Sequence, residues 1–249
     1  MENIFKNPAW IGLVAFLYLP RGLWAQTPVQ LAPTPTFSQA VSLLGEGSAS
    51  LDEGLLRAAG KVFEPCSNTV TGRFDCCYQS ARTCLYLSRF YELQKHRDLA
   101  EKLVEAGIKA AQRAVQMEGD SADAHALLAR LYETKLSYGD LFTGLDIGPK
   151  AGAENKRALA LAPDNAQVQL AAGVQYVMAP PIGGGDVKKG IATLKRALEL
   201  DPEMDEAYYW LAKAYRKQND RAGFKQSLES ALRLNPKNIL AQRELESWR

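Results

Sequence analysis

The chain has 249 residues, 47% of them apolar and 23% charged, values that exclude wholesale disorder and multi-span membrane architectures. Thirty basic against 28 acidic side chains leave a net charge of +2, so the chain as a whole carries no electrostatic footprint for nucleic acid. Its two histidines, His96 and His125, are too few and too far apart for a His-rich metal site.

Lys6 and then an unbroken apolar run of ten residues, 10–19 (WIGLVAFLYL), open the chain. A bilayer-spanning helix needs about 20 apolar residues, and Pro20, Arg21 and Gly22 interrupt this run. The segment 1–25 therefore reads as a secretory signal cleaved after Ala25, with an uncleaved anchor as the alternative. The expected localisation is extracytoplasmic, periplasmic or secreted, and the mature chain of about 224 residues makes one large domain or two small ones. Residues 26–38 contain Pro28, Pro33 and Pro35 and read as an extended tether. Residues 39–97 form an expected N-terminal helical region: one or two helices over 39–63, interrupted by Gly45-Glu46-Gly47, and a helix over 75–94. That last helix pairs with another over 98–117. No segment alternates apolar and polar residues, so the expected fold class is all-α.

The second half is repetitive. Pro202 and Pro236 lie 34 residues apart and end matching phrases, KRALELDP and SALRLNP. An earlier copy, RALALAP, ends at Pro163, and a degraded one runs from Arg113 to Met117. In each phrase a small alanine lets two helices approach, and a proline beyond it stops the helix. A small residue and an aromatic three positions later follow each stop: Ala129 and Tyr132, Gly173 and Tyr176, Ala212 and Tyr215. Period, proline and small/aromatic spacing together resemble tetratricopeptide repeats (TPR) over 98–249. The expected architecture is a solenoid of helical hairpins, closed by a capping helix over 238–248. Two units are longer than the rest, with 44 residues from Ala114 to Ala158 and 39 from Ala158 to Ala197. The additional residues are expected in turns at 137–149 and 179–185. The repeat with its Gly-rich insertion (APPIGGGDVKKGIATLKRALELDP) is similar to exported bacterial repeat proteins, among them the T component (TatT) of TRAP-type transporters.

Cys66, Cys76, Cys77 and Cys84 fall within 19 residues. If Asp75 opens a helix, Cys84 stands about 10 Å along the axis from Cys77, beyond disulfide reach. One bridge from a loop Cys66 to Cys76 or Cys77 is expected, with four reduced thiols as the alternative. Zinc is not expected, because no second ligand pair has suitable spacing. Gly183-Gly184-Gly185-Asp186 lacks the strand and the lysine of a phosphate loop, so Asp186 reads as a helix N-cap. No hydrolase or metalloprotease signature occurs, and neither an enzyme nor a cofactor is expected.

The TPR resemblance implies that the first helix of each hairpin lines a concave groove. That assigns Arg130 and Glu133 to the first unit, beside Ala126. The second unit contributes an apolar set, Leu170, Val174, Val177 and Met178. The third contributes Tyr209, Lys213, Arg216 and Lys217, a cationic end of the groove. Such a surface suits a protein or amphipathic peptide partner with a carboxylate, or a small organic acid. The competing reading makes the cations a solvated face and packs the apolar set onto the insertions. The first expectation is thus a non-enzymatic exported adaptor, and the second, implied by the TatT resemblance, a small-ligand-binding accessory of a solute transporter. An enzyme of unrecognised class is the third.

Overall fold

Eleven α-helices and no strand occur among the described residues, which are 34–69 and 73–247 of a computed structural model. In chain order they are α1 (Phe37–Ser50), α2 (Glu53–Ser67), α3 (Phe74–Leu93), α4 (Arg97–Met117), α5 (Ala122–Leu136) and α6 (Leu141–Leu161). Then come α7 (Ala166–Met178), α8 (Val187–Leu200), α9 (Asp205–Lys217), α10 (Arg221–Leu234) and α11 (Ile239–Glu246). The expected export segment 1–25, the tether up to Pro33 and the terminal Trp248 lie outside the described residues. None of the described helices is long and apolar enough to cross a membrane.

Short polar side chains set where the helices begin. Thr36 and Gln39 form a reciprocal capping box that starts α1 inside the stretch expected to be tether. Asp52, Ser121, Asp140, Asn165, Asp186, Asp220 and Asn238 each accept a backbone N–H in the first turn of the helix that follows. Such a cap contributes about 1 kcal/mol, which is why the hairpins are punctuated by Asp, Asn and Ser rather than by proline alone.

Three local expectations are corrected. Helix α1 runs straight through Gly45–Gly47, and the break comes at Leu51, whose φ is 49°. Gly47 serves packing instead: a Cβ there would lie 3.0 Å from Leu55 Cβ and 3.1 Å from Leu56 Cγ, at the start of α2. Cys66 belongs to the last turn of α2, beyond Pro65, and not to a loop. The residues 137–149 do not swell a turn: most extend α6 at its N-terminus, giving it 21 residues against 14 in α8, with Asp140 as cap and Pro149 inside the helix. The insertion at 179–185 does remain a turn, with a short 3-10 segment at Pro181–Gly183 and Gly184 at φ 86°.

Consecutive helices pair as hairpins, α1/α2, α3/α4, α5/α6, α7/α8 and α9/α10, and α11 packs on α10. The small positions read from the repeats, Ala129, Ala158, Ala197, Ala212 and Ala231, are all fully buried. At Gly173 a Cβ would come within 2.7 Å of Leu194 Cγ, and at Gly190 within 2.6 Å of Val177 Cγ2, so α7 and α8 pack nearly backbone to side chain. The boundary expected between residues 97 and 98 falls in the first turn of α4, inside the α3/α4 hairpin.

Helices α3, α5, α7 and α9 also touch in succession and form the inner wall. The wall curls until its ends meet. Arg89 of α3 reaches Glu206 of α9, Arg243 of α11 donates to the Leu93 carbonyl at 3.0 Å, and Asn235 donates to the Ala49 carbonyl at 2.8 Å.

Candidate binding site on the inner wall

The inner wall carries a partly buried carboxylate shared by two arginines. Glu206 opens α9, and its Oε1 accepts from Arg89 at 2.7 Å, from Arg130 Nη2 and from Trp210 Nε1 at 3.3 Å. Burial pushes the Glu206 carboxyl up, but Arg130 and Arg89 outweigh it and hold the group at about 2. Three cavities of about 210, 300 and 120 Å³ surround this triad, each lined by at least one of its members.

The 300 Å³ cavity gathers the groups of chemical interest. Leu93, Val174, Met178, Tyr209, Trp210 and Leu240 supply its apolar wall, and Arg89, Arg130, Glu133 and Lys213 its polar one. Glu133 Oε1 accepts from Asn155 Nδ2 at 2.8 Å, and the same Nδ2 donates to Gln175 Oε1 at 3.0 Å. The second oxygen of Glu133 and Nε of Arg130 are buried with no hydrogen-bond partner among the described residues. Burial pushes the Glu133 carboxyl up to about 8, against the opposing pulls of Arg130, the Asn155 hydrogen bond and Arg89. Two glutamates beside one arginine are thus driven in opposite directions.

The residues expected from sequence divide. Arg130, Glu133, Val174, Met178, Tyr209 and Lys213 converge on this cavity, and Ala126 lines the adjoining one. Leu170 and Val177 are corrected: both are fully buried in the α7–α8–α9 core, because the face of α7 that meets Leu194 and Leu211 includes them. The cationic end is also corrected. Lys213 and Arg216 both bind Glu244 of the capping helix, at 2.6 and 2.5 Å, and Lys217 donates to the Val177 carbonyl at 2.5 Å. These cations are engaged within the protein, since α11 turns its carboxylate back onto α9. The solvated-face alternative holds for Arg216 and Lys217, which are exposed, while Lys213 is partly buried.

Sequence reasoning missed Arg89, Asn155, Glu206 and Trp210. The available signal was the pair Glu206 and Trp210, one helical turn apart on the inner face of the last repeat. For Arg89 there was none, because α3 precedes the recognisable repeats. His125 packs between Glu154, 2.5 Å from its Nδ1, and the Gly119 carbonyl.

Cys66 and Cys76 form a disulfide that ties the end of α2 to the start of α3, with Cα atoms 5.8 Å apart. Cys77 is free and buried; Cys84 is free and partly buried, and burial pushes its thiol up to about 12. Among the described residues no group of three or more His, Cys, Asp or Glu could hold a metal ion.

Inner-wall helices that touch in succession, small residues at the hairpin crossings and a half-open cavity within the curl make a helical-hairpin solenoid of the TPR kind. The family model of the tetratricopeptide repeat matches residues 182–245. Among solved structures, TTC0263, a thermophilic TPR protein of Thermus thermophilus, has a TM-score of 0.63 at 22% identity, covering 84% of this chain and 97% of that one. YrrB, described as a TPR protein with an unusual peptide-binding site, gives 0.40 at 14% identity over 86% and 100% of the two chains. A MamA structure gives 0.38 at 20% identity over 81% and 92%. No curated protein matches the chain.

Proposed function

We propose that this protein is a non-enzymatic, exported recognition module that holds part of a protein or peptide partner in the cavity of its inner wall. The carrying observation is that the side chains on the wall meet across it. Bonds from Arg89 and Arg130 to Glu206, and from Arg243 to Leu93, divide the inner wall into half-open pockets where an open solenoid would have a continuous trough. An extended peptide laid along the whole groove would have to displace these bonds. A chain terminus or a single projecting side chain would not, and about 300 Å³ is the lower end of ligand-pocket size. The Cys66–Cys76 bridge supports an oxidising compartment, in keeping with the expected signal over 1–25.

A pocket of this size also suits a second reading, a small-ligand-binding accessory of a solute-uptake system, as the resemblance to the TRAP T component implies. Hydrogen exchange on the protein purified with and without an extracytoplasmic extract tests the first reading. A captured protein that slows exchange on α5, α7 and α9 supports it. Capture that leaves these helices unchanged and protects the outer helices refutes the inner-wall site.

A further inference from the structure

We infer that the cavity between Arg130, Glu133, Val174, Tyr209 and Trp210 is a site for a carboxylate carried on a short apolar body, and that Nε of Arg130 and Oε2 of Glu133 are the two groups this carboxylate satisfies. The inference rests on the inner-wall reading above and names the chemistry that the wall selects.

Three buried polar atoms lack partners among the described residues, Nε of Arg130, Oε2 of Glu133 and Oδ1 of Asn155. The first two belong to residues one turn apart on α5 that line a cavity whose remaining wall is largely apolar, whereas Asn155 does not line it. Leaving such groups unmatched is unfavourable, so an occupant that matches them is favoured. Arg130 Nε can only donate. Asn155 already uses one oxygen of Glu133, and the other oxygen decides the polarity of the ligand.

The groups facing Glu133 are Arg130 on its own helix, Arg89 and Glu92 from α3, Asn155 from α6, Gln175 from α7, and Glu206, Tyr209 and Lys213 from α9. Glu206 neutralises one of the two guanidinium charges, and Glu244 engages Lys213. Glu92 is exposed at the mouth and solvated. With the Glu133 carboxyl holding its proton, the inner set Arg89, Arg130, Glu206 and Glu133 has a charge of +1, and both unmatched groups donate. A carboxylate accepts from both and cancels the charge. An amine would require the ionised form of Glu133, which burial opposes. When the site fills above about pH 8, Glu133 takes one proton from solvent, and that proton becomes the hydrogen bond to the ligand.

The experiment is calorimetric titration of the purified chain with hexanoate, hexanamide and hexylamine, and with a heptapeptide ending in leucine, as free acid and as amide. Hexanoate or the free-acid peptide should bind, and the two amides and hexylamine should not. Hexanoate binding alone indicates a free small acid as the source, and peptide binding alone a chain terminus. Affinity should be level from pH 6 to 7 and fall about 30-fold by pH 9.5, a tenfold loss per unit above the Glu133 value of about 8. Glu133→Gln should weaken binding several-fold at pH 7 and abolish the fall. Arg130→Lys, which keeps a charge for Glu206 but loses Nε, should weaken it at least tenfold with the helical circular-dichroism signal intact. Tighter binding of hexylamine, equal binding of acid and amide, or no binding by either acid overturns the inference. If a protein partner still protects α5, α7 and α9, the inner-wall reading survives that result.

Discussion

Replacing Glu133 with glutamine should make the protein more stable, and only above acidic pH. The unfolded chain releases the Glu133 proton near the ordinary value of 4.5, whereas the folded protein keeps it to about 8. Between these values the folded state binds more protons than the unfolded state. Stability therefore falls as pH rises from 4.5 to 8 and is level on either side. At 1.36 kcal/mol per unit, the full interval corresponds to roughly 4–5 kcal/mol, an upper bound because water entry and local relaxation reduce it. Glutamine has nearly the same shape, keeps the oxygen that accepts from Asn155 and never ionises. The variant should match the wild type at pH 4 and exceed it by roughly 3–4 kcal/mol at pH 8, read as urea midpoints at constant slope. That is a large fraction of the 5–15 kcal/mol stability of a typical domain. Parallel stability curves for the two proteins from pH 4 to 9 would refute the placement of Glu133 as a buried neutral acid.

Glu206 should behave in the opposite way. Its carboxyl is held at about 2, so its stabilisation is complete above 4.5 and disappears as pH falls toward 2. Glu206→Gln should destabilise by about 3 kcal/mol at pH 7 and flatten the acid limb of the stability curve, because it strands Arg89 and Arg130. Cys66→Ser should cost roughly 2–3 kcal/mol, since the bridge closes a short loop. Non-reducing peptide mapping should return Cys66 joined to Cys76, with Cys77 and Cys84 as thiols unlabelled until denaturation. Lys213→Ala with Arg216→Ala should release the capping helix by leaving Glu244 unpaired. Amide exchange over Ile239–Glu246 should rise while exchange in α7 and α8 stays as it was.

Repetition made the architecture legible. A 34-residue spacing, buried alanines and Asp or Asn caps depend on local sequence, and each recurs at the same phase in successive hairpins. The misread segments were those in which tertiary packing outweighs a local signal. Gly45 and Gly47 look like a break, yet the absent Cβ at Gly47 is what lets α1 lie against α2. Pro149 looks like the end of a turn, yet Asp140 caps a helix that runs through it. At the inner wall the sequence identified which face of α5, α7 and α9 turns inward, and six of the ten residues expected there line one cavity. It did not reveal the partners across the wall, because Arg89 and Glu206 are 117 residues apart and meet only when the solenoid curls. Helix α11, folding back onto α9, brings Glu244 onto Lys213 and Arg216, so two of the expected groove cations are engaged within the protein.

The geometry around Arg130 explains why two acids so close together differ. Glu206 accepts from Arg130 Nη2, from Arg89 and from Trp210, so three donors converge on one oxygen and its charge is retained despite burial. That commitment directs the outer fork of Arg130 toward α9. Nε of Arg130 is left buried without a hydrogen-bond partner among the described residues, as is the second oxygen of Glu133. At Glu133 the penalty of burial outweighs the opposing pulls of Arg130, the Asn155 amide and Arg89, and the carboxyl keeps its proton. A pair of apolar residues at 130 and 133 would fill the space without either penalty, and buried ion pairs exchanged for apolar groups are often neutral or stabilising. Retaining both polar groups with one atom of each unmatched is unfavourable unless solvent or a ligand matches them. On the proposed reading that ligand is a carboxylate, because the proton on Glu133 makes both groups donors.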